Sequence, residues 1–369
     1  MAPEKYVNTD RLVQTFLNLV RIDSPSRQEK QISDHLKHIL EGYGCSVVQD
    51  DLGNLVAELP GQGEETILLS AHMDTVGSDT GITPVIRDGV IYSDGSTILG
   101  ADDKSGVAVI LEALEVLKNH PELPHTPLEI VFSVSEEIGL VGSKALDKSL
   151  LKADWGLIFD SGGPIGVIVY TAPYQDSVQA EVRGKKAHAG GEPEKGVNAI
   201  VIASEAIVHM PLGRIDVETT SNIGIIKGGN ATNIVPDYVF VKGEARSRDE
   251  KKLQAQTRAM VKAFENAAQK HHGAVDIEVV RKYPGYKLDF TARPYVAAAR
   301  ALDALGMTVI AKASGGGTDG NIYNQAGIPC VALSTGMTAV HTQDEHIAIQ
   351  DMVDAARVLV TIITQEATQ

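Results

Sequence analysis

The stretch Thr66-Ile-Leu-Leu-Ser-Ala-His72-Met-Asp74 decides how this chain is read. Its apolar run from Thr66 to Ala71 predicts a strand, and the strand ends on an imidazole and a carboxylate. The same arrangement recurs downstream. Leu128–Val134 predicts a strand and runs into Glu136-Glu137, and Trp155–Phe159 predicts another that runs into Asp160. A glycine-containing loop delivers Asp102-Asp103 to the start of a predicted helix. After a predicted strand at Cys330–Leu333 comes His341-Thr-Gln-Asp-Glu345. Open α/β sheets place their active sites in the crevice outside the carboxyl ends of the strands. Unusual polar residues stand at several such ends here.

Working outward, helical spacing predicts helices over Arg11–Val20, Gln28–Leu40 and Ser105–Lys118. An extended stretch is expected at Asn54–Leu59, and Asp88-Gly89 and Asp94-Gly95 bracket a hairpin around Val90-Ile-Tyr92. Strands alternating with helices predict an α/β layer with helices on both faces. The pattern changes near Tyr174. Strand Val178–Arg183, helix Asn198–His209, strands Ile223–Ile226 and Tyr238–Ala245, helix Glu250–Lys270 and strand Val275–Val280 follow in turn. That β-α-β-β-α-β order predicts a ferredoxin-like α+β unit. After Pro284-Gly285 the α/β character returns, with a helix at Tyr295–Leu305, a strand at Thr308–Ala311 and a closing helix over Ile349–Thr364. The expected organisation is a discontinuous larger domain, 1–175 and 285–369, with a smaller domain inserted at 176–284, and the resemblance given below implies that the larger is catalytic and the smaller a lid or dimerisation domain.

The 369 residues suffice for substantial cores, and 43% hydrophobic with 22% charged residues is the balance of a globular protein. No apolar run is long enough to span a bilayer, and the first residues do not read as a signal peptide. A formal charge of −15 argues against nucleic acid and anionic membranes as partners. Two cysteines, Cys45 and Cys330, cannot build a disulfide framework or a thiolate zinc cluster. Both lie in apolar runs and read as buried thiols of a cytoplasmic protein.

Gathering carboxylates in one crevice requires a cation among them, because like charges repel strongly at close range. Nitrogen from histidine and oxygen from Asp and Glu, without sulfur, suit Zn²⁺, Co²⁺ or Mn²⁺ better than Ca²⁺ or Mg²⁺. Five or six candidate ligands point to two ions sharing a carboxylate. Each residue alone has a plainer reading: Asp102-Asp103 as a helix cap, Glu136-Glu137 as a solvated turn, His341 as an exposed side chain. Their joint placement carries the argument.

Four motifs in register, Ser70-Ala-His-Met-Asp-Thr-Val76, Leu99-Gly-Ala-Asp-Asp-Lys-Ser-Gly106, Ser135-Glu-Glu-Ile-Gly139 and His341-Thr-Gln-Asp-Glu345, resemble the signature set of the M20 metallopeptidases. Within that family the peptidase T, or tripeptide aminopeptidase, branch is the most similar, over essentially the whole chain. The resemblance implies a zinc-exopeptidase-type domain with a mixed sheet flanked by helices. It implies one ion on His72, Asp102 and Asp160 and another on Asp102, Glu137 and His341, with zinc first and cobalt or manganese as alternatives. Asp74 would then fix the tautomer of His72, and Glu136 would be the general base. In the inserted domain it implies that His188, in Gly184-Lys-Lys-Ala-His-Ala-Gly-Gly191, stabilises an oxyanion, and that Asn233 and Arg246 grip the substrate. For Arg246 a salt bridge within the lid is the alternative. The run Ser314-Gly-Gly-Gly-Thr-Asp319-Gly-Asn321 lacks the Lys-Ser/Thr of a phosphate loop and reads as a flexible substrate-facing loop, Asp319 meeting a free α-amino group.

The expected activity is removal of the N-terminal residue from short peptides, with homodimerisation through the lid. An M20 carboxypeptidase or N-acyl amino acid amidohydrolase would use nearly the same ligands. A non-catalytic binding protein on this scaffold would have no need of an unligated Glu136.

Overall fold

The computed structural model describes residues 2–368. The chain forms two compact units. The larger takes the chain up to Thr171, from Leu288 to Ser314 and from Thr318 onward; the smaller takes Ala172–Lys287 with Gly315–Gly317.

The larger unit is built on a mixed sheet. Its strands lie in the order Ser46–Gln49, Leu55–Leu59, Leu128–Ser133, Ile67–His72, Trp155–Ser161, Cys330–Ser334, Val167–Ala172, and Ile310–Ala313 pairs with the last of these. The central four, from Leu128–Ser133 to Cys330–Ser334, run parallel. All six residues of Ile67–His72 are buried, as expected of a parallel strand covered on both faces. Successive side chains of that strand serve different cores, Ile67, Leu69 and Ala71 on one face and Leu68 on the other, which is the period-2 alternation of a pleated strand. Helices Thr9–Val20, Lys30–Gly42, Ala101–Asn119, Arg293–Ala304 and Ile349–Glu366 cover the first face. Helix Asp319–Gln325 and the neighbourhood of Leu146 cover the second, around Tyr323. Each Leu, Ile or Phe buried this way contributes about 1.5–3 kcal/mol relative to exposure.

Two placements go beyond the sequence reading. Hairpin Pro84–Arg87 and Val90–Ser93 forms a separate three-stranded sheet with His346–Ala348, so the segment after His341 is tied to the hairpin. The expected strand Trp155–Phe159 continues to Ser161, which puts Asp160 inside it.

The smaller unit is an antiparallel sheet in the order Thr219–Gly228, Tyr238–Ser247, Tyr174–Arg183, Ala274–Tyr283, with a two-residue strand, Gly213–Arg214, at its edge. Helices Ala199–Val208 and Glu250–Lys270 pack on it around Val178, Val239, Phe264 and Ile202. Asn198 accepts from Ile200 N and Val201 N, and Asp249 from Lys252 N, satisfying amides that a helix start leaves open. Among the described residues no helix is long and apolar enough to cross a membrane.

Candidate metal centre

Three neighbouring parallel strands end side by side, and that is what assembles the site. His72 closes Ile67–His72, Asp160 is the next-to-last residue of Trp155–Ser161, and Glu136 and Glu137 lie just past Leu128–Ser133. Asp102 comes from the opening of helix Ala101–Asn119, where Asp102 and Asp103 depart from helical geometry and the bond between them is cis. His341 comes from the loop before His346–Ala348.

Asp102 stands between the two imidazoles. His72 Nε2 is 3.1 Å from its Oδ1, and His341 Nε2 is 3.1 Å from its Oδ2. Glu137 Oε1 is also 3.1 Å from His341 Nε2. Two sets of three therefore converge, His72–Asp102–Asp160 and Asp102–Glu137–His341, each with its ligand atoms within 4.8 Å of one another. Asp102 belongs to both.

The electrostatics suit a centre that could hold a cation. Burial drives the Asp160 carboxyl well above its ordinary range, and the nearby Asp102 and Glu137 charges add to that. Burial likewise pushes Glu136 up; His72 opposes it, while Asp160, Asp319 and Glu137 reinforce it. Hydrogen bonds to Asp102 and Glu137 push His341 up to about 10. For His72, burial opposes the charge, but hydrogen bonds to Asp102 and Asp74 outweigh it and hold the imidazole well above its usual value. Burial also works to raise Asp102, yet its hydrogen bonds to His341 and His72 hold it below the usual carboxylate range. Acids forced toward protonation around two imidazoles are a donor set that a pair of divalent ions fits. No sulfur is among the donors, which suits zinc, cobalt and manganese alike.

Asp74 differs from expectation in detail. The nearest partner of His72 Nδ1 is the Asp74 backbone carbonyl at 2.9 Å, while the carboxylate stands at 3.3 Å. The carboxylate instead accepts from Glu136 N at 2.9 Å, Glu137 N at 3.3 Å and Ser26 Oγ at 2.7 Å. Asp74 thus orients the imidazole and holds the paired glutamates.

The Asp319 expectation is corrected. The run before it is no flexible loop at its far end, because Thr318 caps helix Asp319–Gln325 in a reciprocal box with Asn321. Asp319 is 2% exposed and hydrogen-bonded to the Ser133 hydroxyl, so it is not an exposed loop side chain.

In the smaller unit, His188 and Asn233 come together on adjoining segments: Ala189 N donates to Asn233 O at 3.0 Å, and His188 bridges Ile234. Both side chains are exposed. His188 Nδ1 accepts from Gly190 N at 3.1 Å and Gly191 N at 3.0 Å, which leaves the ring proton on Nε2. Arg246 makes the lid salt bridge, its Nε and Nη2 reaching the two oxygens of Glu244 at 2.8 and 3.1 Å.

Sequence reasoning missed the segment that supports the glutamates. Ser24 Oγ donates to Met73 O at 2.8 Å, and Glu29, 4% exposed, accepts from Ser135 N at 2.8 Å and Ser135 Oγ at 2.7 Å. Ser24 lies between two predicted helices and Glu29 in the first turn of the second, where polar residues are ordinary; only their burial marks them.

Residues 68–365 match peptidase family M20/M25/M40. The Bacillus subtilis protein YqjE is 43% identical over 98% of this chain and 100% of its own length. The crystal structure of aminopeptidase PepT from Bacillus cereus superposes with a TM-score of 0.89 at 44% identity, covering 99% of this chain and 100% of that one. That of a tripeptidase from Staphylococcus aureus gives 0.93 at 40% identity, over 98% and 100%. The chain belongs to the M20 peptidase family, in its peptidase T-like branch, and is a metallopeptidase.

Proposed function

We propose that this protein hydrolyses the first peptide bond of short peptides, releasing the N-terminal residue, in a reaction that depends on two divalent ions. The observation that carries the reading is the pair of ligand sets sharing Asp102, with Glu136 beside them and outside both. The aminopeptidase and tripeptidase of similar sequence and structure support the substrate class.

His72, Asp102 and Asp160 would hold one ion and Asp102, Glu137 and His341 the other. Ions bound there supply Lewis acidity and lower the pKa of water. The chain does the rest. Glu136, its backbone fixed by Asp74, takes the proton of the attacking water and passes it to the leaving amine. His188, with its proton on Nε2, offers a donor to the developing oxyanion. Asn233 holds a polar group of the peptide, and Arg246 reaches a substrate carboxylate by exchanging it for Glu244. The inserted unit also serves as the contact of a homodimer. Strand Thr219–Gly228 is met on its outer side by Gly213–Arg214 at Ser221 and Thr220, and Ile225 and Ile226 beyond them are exposed. Buried free thiols fit a cytoplasmic protein.

Mass spectrometry of products from a free tripeptide, its N-acetyl form and its C-terminal amide, with Zn²⁺, Co²⁺ or Mn²⁺ and with chelator, tests this. Release of the first residue, abolished by acetylation and by chelator, is expected. Release of the last residue or of the acetyl group would transfer the activity to a carboxypeptidase or deacylase.

A further inference from the structure

Three backbone N–H groups of the loop that carries Asp102 end on one buried carboxylate. Glu345 is 1% exposed. Its Oε2 accepts from Leu99 N at 2.9 Å and Gly100 N at 2.8 Å, and its Oε1 accepts from Asp102 N at 3.0 Å. Two successive amides converge on one oxygen because Gly100 has φ of +74°, and a Cβ there would meet Thr75 Cγ2 at 3.0 Å. Glu345 itself belongs to the loop of His341. That loop is closed at its base by Thr338 N to His346 O at 3.0 Å and His346 N to Thr338 O at 3.1 Å. One side chain therefore fastens the Asp102 loop to the His341 loop.

We infer that Glu345 is a positioning residue: by accepting these three amide protons it sets the orientation of Asp102 and its separation from His341. This rests on the metal-holding roles proposed above. The chemistry calls for a carboxylate. Both oxygens accept, and charge-assisted bonds to amides are stronger than neutral ones. An amide of the same shape has one acceptor oxygen and turns an NH₂ group toward N–H donors on one side, so it fills the space and loses the function. A residue needed only for packing would tolerate that exchange.

The test compares the parent, Glu345→Gln and Glu345→Asp. Zn²⁺ and Mn²⁺ affinity is measured by competition with a metal-binding indicator, and backbone hydrogen exchange over 99–102 is followed in the metal-free proteins. For Glu345→Gln the expected result is affinity about 10- to 100-fold weaker, with faster exchange at Leu99, Gly100 and Asp102. Parent-like affinity together with parent-like exchange overturns the inference. If the Gln variant does not fold, Glu345→Asp, with both acceptors drawn back by one methylene, is read by the same criteria. A parent that binds no ion defeats the metal assignment itself, whereas a parent that binds two ions, with variants matching it in both affinity and exchange, defeats only the role of Glu345.

Discussion

Glu136 and Glu137 adjoin in sequence, and the proposed mechanism asks different work of each. Glu137 Oε1 stands against His341, while Glu136 lies outside both ligand sets. Glu136→Gln keeps the shape and removes the base, so turnover should fall roughly 100- to 10,000-fold. Metal content by elemental analysis should stay at the parent level, and undiminished turnover would refute the role. The cysteines give a second check at this scale. Burial pushes the Cys45 thiol up to about 11 and raises Cys330 further, so neither presents thiolate at neutral pH. A thiol reagent at pH 8 should label neither in the folded protein and both in denaturant. The burial of these two side chains was readable from their apolar neighbours. That of Glu29 and Asp319 was not, because their sequence surroundings are polar and only the folded chain covers them.

Helix Ala101–Asn119 lies so close to strand Trp155–Ser161 that a Cβ on Gly106 would stand 2.4 Å from Phe159 O and 2.5 Å from Asp103 Oδ1. Gly106→Ala should destabilise the protein by about 1–3 kcal/mol through overpacking. A denaturant melt measures it, and an unchanged midpoint would mean the helix can move away. Ile226→Lys tests the other unit. If the proposed dimer forms through this unit, the variant should shift sedimentation toward the monomer while leaving the melting temperature near the parent value. Long elements with clear periodicity were legible, and helix Glu250–Lys270 has the bounds that its spacing predicts. Strand Val167–Ala172 was overlooked although its Val-Ile-Val carries the β-branched signal. The first residues of the short helix Asp319–Gln325 read as loop because three glycines precede them, and the cap, Thr318 with Asn321, outweighs the glycines.

Across the whole molecule, the residues that could hold ions are as distant in sequence as His72 and His341, and the fold brings them together. The fold class was legible because parallel strands announce themselves as apolar runs and their ends are where polar residues collect. Distances could not be read in the same way, since they depend on turns such as the one at Gly100. Because ions bind the folded chain and offset clustered carboxylates, chelation should lower the melting temperature together with activity, and added metal should restore both. An unchanged melting temperature after verified removal would contradict that coupling.

The larger unit is interrupted by the smaller, yet the interruption is closed at its base. Leu288 N donates to Tyr170 O at 2.9 Å, so the chain re-enters beside the point where it left. Everything assigned to holding ions lies outside Ala172–Lys287, and everything assigned to reading the peptide lies within it. Genetic surgery could exploit that seam. A turn of a few residues in place of the excursion would rejoin ends that already touch, leaving a metal-loading scaffold onto which a different recognition module could be spliced.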